Sequence, residues 1–481
     1  MTRRAWVRLD NASNIFLAAR NDIDPKVFRI SAELDHEVDP GLLQQALDAT
    51  YERYRLYHAV LRRGVFWHYL QDSDLRPCVT LEDQHTCAPI YRPDRRELLF
   101  RVMHHRRRII LELFHALSDG TGALWFLSDM VEAYVRLRHP RQVPGPGQVP
   151  AQNDDPSDAP AAGGPGSASA GNPHTEDLVQ TVHELTTDSF THYFRRRRRQ
   201  EPAGADADAG ARRPAPVPAD RPRNPRRKPR TKVYRVTGTR TPDNRPRTVE
   251  LTMPADQALQ LARAEGVSLT MYLTAVFFES IRLSSPGLGR ARTLVASVPV
   301  NLRQFFPSTS PRNFFAIVRV AHTYDETTPD AADPGPVSRE LERRFRPKAT
   351  PEALEKSLRR LIRFERMPVL RIVPRPVKDV LLRLINWISN RRLTVAVSNL
   401  GRVTLPEPAD SHVRRMLFHV SAVRPQFCAM SHAGLLTISF TSPFTQTDHI
   451  REFARTLTSR GVDVTVAAAQ VTEDELKESR R

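Results

Sequence analysis

His115 sits in the segment Phe114-His115-Ala116-Leu117-Ser118-Asp119-Gly120, four residues ahead of Asp119 and five ahead of Gly120. The apolar run Ile109-Ile110-Leu111-Glu112-Leu113 before it reads as a buried strand, and an amphipathic helix follows. A histidine at a strand-to-loop junction is held by a rigid scaffold and still opens on a cleft. Its imidazole is the side chain most readily poised to accept a proton near neutral pH. General-base chemistry is the functional reading of His115; the bland alternative is a core histidine at a strand end. Asp119 in turn reads as an N-cap for a helix starting near Thr121. Gly120 permits a tight turn or a close approach of substrate.

Other chemistry-bearing groups fall away. Cys78, His85 and Cys87 lack zinc spacing, so no metal site is expected. Ser118 beside His115 is not a nucleophile elbow, since no GxSxG is present. Gly120-Thr121-Gly122 is too short to cradle a phosphate.

The elements that would position His115 are mixed α/β. Asp39-Pro40 reads as an N-cap with proline at the first helical position, followed by an apolar face at Leu42, Leu43, Ala46, Leu47 and Thr50. Residues 58–70 predict a hairpin around Gly64, and 97–103 with 108–114 a second one. After the motif, Leu124, Leu127, Val131 and Tyr134 share a helix face. Further on, a helix over 255–265 is closed by Gly266, and Ser268 caps an apolar helix through Leu283. Strands are expected at 293–299, 314–323, 393–397, 415–423, 426–431 and 435–442. Helices are expected at 351–364, 376–389 and 447–459, and a last strand at 462–468.

Composition divides the chain into an N-terminal unit (1–139), an insertion (140–230), a C-terminal unit (231–470) and a loose tail (471–481). The insertion holds 15 of the 39 prolines. A segment of that composition buries too little apolar surface to offset its ordering entropy, with one short helix expected at 176–194. The net charge of +18 is also local, because Arg195–Arg247 carries 18 Lys/Arg against 5 Asp/Glu. Charge confined to a linker argues against a nucleic-acid partner. It would give weak peripheral attraction to anionic lipid headgroups, about 1 kcal/mol per nearby charge. No apolar run of about 18 residues and no signal peptide are visible, and three cysteines make no disulfide framework. A cytoplasmic protein is expected, with membrane association through the basic linker; the pattern assigns no oligomeric state.

His115-x-x-x-Asp119-Gly120 resembles the HxxxDG core of the chloramphenicol acetyltransferase-like superfamily, which holds acyl-CoA-dependent acyltransferases and the condensation domains of peptide synthetases. The longer string FHALSDGTGALWFL is most similar to bacterial proteins of the alcohol acetyltransferase family. Val298-Pro299-Val300-Asn301-Leu302-Arg303, Pro311-Arg312-Asn313-Phe314-Phe315 and Ser398-Asn399-Leu400-Gly401-Arg402-Val403 resemble further stations of that family, and Trp6-Val7-Arg8-Leu9-Asp10-Asn11-Ala12-Ser13 its opening. Two departures stand out. Phe114 occupies the slot where many superfamily members carry a second histidine, and the DFGWG motif of plant acyltransferases is absent.

The resemblance implies two related subdomains facing each other, with a central tunnel at their interface and His115 at its middle. It implies acyl transfer from acyl-CoA to an alcohol hydroxyl, with no bound cofactor and no covalent acyl-enzyme. His115 would be the base. Asp119 would pair with an arginine and hold the histidine loop, and Arg303 is the candidate partner. Ser398 and Asn399 would stabilise the oxyanion or line the acceptor channel, against the alternative of an Asx-type turn. Asn313 would sit near the tunnel or cap a loop. Two other readings stay open: a condensation-type enzyme taking its acyl group from a carrier protein, and a non-catalytic protein that kept the fold.

Overall fold

The structure is a computed structural model that describes residues 6–9, 11–140, 190, 193, 232–241, 245–285, 292–325, 332–365, 373 and 375–469. The expected disordered character of 140–230 and the loose tail at 471–481 lie outside these residues, apart from a few positions. Of the helix expected at 176–194, Phe190 and Tyr193 are described. Both pack on Phe314, at ring-centroid distances of 5.1 and 6.1 Å.

The first lobe is built on a five-stranded sheet. Strand β2 (Val27–Leu34) pairs antiparallel with β7 (Arg108–Phe114), which lies at the sheet's middle and pairs in turn with β6 (Phe100–His105). The apolar run in β7 follows from coverage on both faces, because only its first residue reaches solvent. Glu112 sits within that run at 0% exposure. It is held by Arg29 Nε at 2.7 Å, Arg101 Nε at 2.8 Å and the Cys87 amide at 2.7 Å. A buried carboxylate needs such full pairing to be tolerated. Helices α2 (Pro40–Arg53) and α3 (Gly120–Arg138) cover this sheet, and Tyr57 stacks on Phe126 of α3 at 4.2 Å. The expected hairpin around Gly64 is present as β3 (Ala59–Arg63) and β4 (His68–Asp72), to which β1 (Trp6–Arg8) adds a third strand.

The second lobe has a seven-stranded sheet. β9 (Arg292–Asn301) and β10 (Phe315–Tyr324) form one side of it. β11 (Val395–Arg402) runs parallel to both β9 and β13 (Gln426–His432). β14 (Leu435–Ser442), β8 (Arg247–Pro254) and β15 (Thr465–Ala468) complete it. Helix α5 (Leu269–Ser284) follows α4 (Ala255–Ala264) and is buried on every side from Met271 to Ile281, as a helix apolar all round must be. Gly266 terminates the preceding turn with φ of 68°, and Ser268 Oγ accepts from the Met271 amide.

Two features depart from the expected layout. β12 (Val413–Val420), in the second half of the chain, joins the first lobe's sheet as antiparallel partner of β2. The core of the first lobe therefore includes Val403, Leu405, Val413, Met416 and Phe418. The local pattern of β12 announces a strand but carries no information about which lobe supplies its partner. The other departure is β11, which runs to Arg402 instead of ending at Val397, because Val397, Ser398 and Asn399 pair in register with Phe427, Cys428 and Ala429. A bulge between Asn399 and Arg402 follows, with Gly401 at φ of 79°. Among the described residues no helix is long and apolar enough to cross a membrane.

Candidate active site

His115 is the first residue beyond β7. Its amide donates to the Lys26 carbonyl at 2.7 Å, extending the β2–β7 ladder, and its own carbonyl accepts from Asn313 Nδ2 at 2.8 Å. The backbone is thus clamped from both lobes. The imidazole stacks on Phe16 at 3.9 Å with planes 13° apart, and Phe28 meets it edge-on at 4.9 Å. Nδ1 is buried with no hydrogen-bond partner among the described residues. Burial lowers the pKa of His115 below its ordinary value, while its own backbone and the Asp119 charge act against that. The lowered pKa favours the neutral ring, which has a lone pair to offer.

His115 forms part of the wall of a cavity of about 600 Å³ between the lobes. Asp119, Gly120 and Thr121 line it from the first lobe. Asn301, Phe315, Ser398 and Asn399 line it from the second. Helix α8 (Arg375–Asn390), which packs against α1 (Asn11–Ala19), contributes Leu381, Leu382 and Ile385. Phe66, Leu381 and Ile385 are exposed, so the cavity reaches the surface along this edge. The histidine is not sealed into an apolar interior.

Asp119 serves as cap and ion-pair partner at once. Its Oδ1 accepts from the Gly122 amide at 2.9 Å, capping α3, while Oδ2 accepts from Arg303 Nη1 at 2.7 Å and from the Phe314 amide at 2.8 Å. Arg303 Nη2 donates onward to the carbonyls of Ser310 (2.8 Å) and Arg312 (2.6 Å). The guanidinium faces the Trp125 ring at 5.2 Å. This network folds the 310–314 loop against the motif and so delivers Asn313 to the His115 carbonyl. Ser118 Oγ donates to the Pro311 carbonyl at 2.5 Å, and Asn301 Nδ2 to Thr121 Oγ1 at 3.2 Å.

The remaining predicted residues separate. Ser398 lines the cavity. Asn399 also lines it, but both ends of its amide are engaged: Nδ2 donates to Thr270 Oγ1 at 3.0 Å and Oδ1 accepts from the Gly401 amide at 2.8 Å. The second contact is the Asx turn. Asn313 is buried behind the cavity wall, bonded to His115 and to Ser13 Oγ, and faces no channel.

Sequence reasoning missed Phe16 and Phe28, the two rings that fix the imidazole. It also missed the β12–β13 connection, where Ser421–Arg424 lines the cavity. Arg424 is a cation on that wall whose pKa burial pulls down to about 10, with Asp24 opposing. Arg319, also on the wall, donates Nη2 to Ser389 Oγ at 2.5 Å. No local signal marked these positions, because a lone arginine between strands is ordinary.

No protein-family model and no curated protein sequence matches the chain. Solved structures do. F. graminearum TRI101, complexed with Coenzyme A and T-2 mycotoxin, aligns over 96% of this chain and 99% of that one at 11% identity and a TM-score of 0.55. Polyketide synthase associated protein 5 from Mycobacterium tuberculosis aligns over 94% and 98% at 13% identity and 0.52. The starter condensation domain of rhizomide synthetase RzmA, in complex with C8-CoA and Leu-SNAC, aligns over 94% of each chain at 13% identity and 0.52. The chain has the two-lobed chloramphenicol acetyltransferase-like fold. At these identities the likeness carries the architecture, and the chemistry must be argued from the site itself.

Proposed function

We propose that the protein is an acyltransferase that moves an acyl group from acyl-CoA to an alcohol hydroxyl, with His115 as general base. The observation that supports this is the His115 imidazole, packed between Phe16 and Phe28 on the wall of an inter-lobe cavity of about 600 Å³. Nε2 takes the hydroxyl proton as the alcohol oxygen bonds to the thioester carbonyl carbon. The Ser398 hydroxyl, on the cavity wall contributed by the other lobe, would donate to the tetrahedral oxyanion. Collapse breaks the carbon–sulfur bond, and the imidazolium returns its proton to the departing thiolate. Ester and free CoA leave, and no covalent acyl-enzyme forms. The wall cations Arg319 and Arg424 suit the phosphates of the donor. The apolar remainder of the cavity suits an apolar acceptor.

The test is release of free thiol from acyl-CoA by the full chain in the presence of a panel of alcohols. A positioned base contributes about 10² to 10⁴-fold, so His115→Ala should lose activity on that order while circular dichroism and thermal unfolding stay unchanged. A folded His115→Ala variant of undiminished rate rejects the base. Transfer from an acyl-carrier donor but not from acyl-CoA replaces the donor. No transfer from either leaves a binding protein.

A further inference from the structure

We infer that His36, His139 and His412 form a binding site for a divalent transition-metal ion of the zinc class. One ligand atom from each of the three lies within 4.8 Å of the others. His36 follows β2, His139 is the C-cap of α3, and His412 closes α9 (Ala409–His412) just before the crossover strand β12. The rings pack together. His139 stacks on His412 at 4.3 Å with planes 4° apart, and His36 meets the two edge-on at 5.4 and 5.9 Å.

Two observations point to a ligand. His36 Nε2 and His139 Nε2 are both buried without a hydrogen-bond partner among the described residues, a state that native proteins rarely leave unoccupied. Behind the rings stands Asp35. Its Oδ1 lies 2.5 Å from His36 Nδ1 and its Oδ2 lies 3.1 Å from His412 Nδ1. A carboxylate on Nδ1 fixes the proton there and leaves Nε2 as the ligand atom, which is how metal-binding histidines are oriented. Here one carboxylate orients two of them. Imidazole donors select the zinc, copper and nickel class over magnesium or calcium. A tetrahedral ion with nitrogens at about 2.0–2.1 Å places those nitrogens about 3.4 Å apart. Side-chain rotations on the order of an ångström close the present spacing to that value. The C-terminal end of α3 adds the negative end of a helix dipole. Arg138 opposes a cation here, and the Asp35 carboxylate offsets it.

Such an ion would clip three segments that are far apart in sequence: the end of β2, the end of α3 and the turn that feeds β12 into the first lobe. It lies at the opposite end of a 19-residue helix from Asp119, about 28 Å away at the rise of an α-helix. Its role would be to anchor that helix and the crossover strand, and it does not depend on the acyltransferase reading.

The full chain, stripped with a chelator and dialysed, should be titrated with zinc chloride against a chromophoric competitor and with cobalt(II) by visible absorption. The expected result is one zinc per chain with a sub-micromolar Kd, a tetrahedral cobalt(II) spectrum and a higher thermal transition with zinc. His36→Gln and His139→Gln should each abolish stoichiometric binding, and Asp35→Asn should weaken it by about 10- to 100-fold. His105→Gln, at the exposed end of β6, should bind as the parent does. Absence of stoichiometric zinc on the parent, or equal zinc on folded His139→Gln, overturns the assignment. If the substituted chains do not fold, the parent's stoichiometry and cobalt spectrum decide by themselves.

Discussion

The two ends of helix α3 are finished in opposite ways. At its start, Asp119 spends one oxygen on the Gly122 amide and the other on Arg303 and Phe314, and Ser118 and Thr121 bond to Pro311 and Asn301 of the other lobe. At its end, the His139 amide is satisfied by the Val135 carbonyl, but its Nε2 and that of His36 are buried without a partner among the described residues. The start is closed by protein and has one geometry, which is what a positioned base requires. The end keeps donor atoms in reserve, which is what a ligand requires. One rigid helix connects them, so rigidity at the start and anchorage at the end bear on the same body.

The largest effect that tests this contrast comes from breaking the closed end. Asp119 and Asp39 are both N-caps, but Asp39 accepts from the Gly41 and Leu42 amides at an exposed position, whereas Asp119 also carries a buried charge pair with Arg303. Asparagine caps as well as aspartate does. Asp39→Asn should therefore change unfolding free energy by no more than about 0.5 kcal/mol. Asp119→Asn strands a guanidinium whose side chain is 6% exposed. It should cost about 3–5 kcal/mol by denaturant titration. Equal effects at the two caps would show that the ion pair adds nothing.

A smaller effect concerns the contact between lobes. A Cβ on Gly122 would lie 2.2 Å from the Pro311 carbonyl oxygen, which is backbone and cannot yield without moving the loop that holds Asn313. On Gly120 the nearest atom is Leu400 Cδ2 at 2.9 Å, the tip of a side chain that can rotate. Gly122→Ala should cost about 1–3 kcal/mol and lower activity through a displaced His115. Gly120→Ala should cost less stability and act instead by narrowing the cavity. If Gly122→Ala is as stable as the parent, the lobes meet less tightly at the motif than the geometry indicates.

What was legible in the sequence follows the same division. The closed end is a contiguous motif, and its long-range partner Arg303 could be named through a second contiguous segment ending at residue 303. The hairpins and most helix boundaries were legible because each rests on local period and caps, such as Asp39-Pro40 and Ser268. The strand Val413–Val420 was visible as a strand, but its exchange into the other lobe was not, because pairing partners leave no trace in local pattern. Ser398 and Asn399 looked like loop because polar residues end most strands; here the ladder to β13 carries them. Phe16 and Phe28 looked like ordinary core residues. The three histidines at 36, 139 and 412 obey no spacing rule, since the crossover of β12 is what brings His412 to the other two.

The smallest predicted effect is a pH dependence that separates a working histidine from a structural one. His115 and His449 both have pKa values lowered by burial, His449 to about 4. For each, the unfolded chain binds a proton near pH 6.5 while the folded chain does not. Stability is therefore complete above about pH 6.5 and is lost as pH falls toward the folded values. A base must be unprotonated to act, so kcat/KM should be flat from pH 7 upward and drop about tenfold per unit only below the lowered pKa of His115. His449→Gln should remove part of the acid loss of stability and leave the rate profile in place, because His449 packs on Phe277 in the second lobe's core, away from the cavity. A rate that still climbs between pH 7 and 8 would mean that the proton acceptor is a group of higher pKa than the ring stacked on Phe16. The closed end of α3 would then be holding a histidine in place for some purpose other than proton transfer.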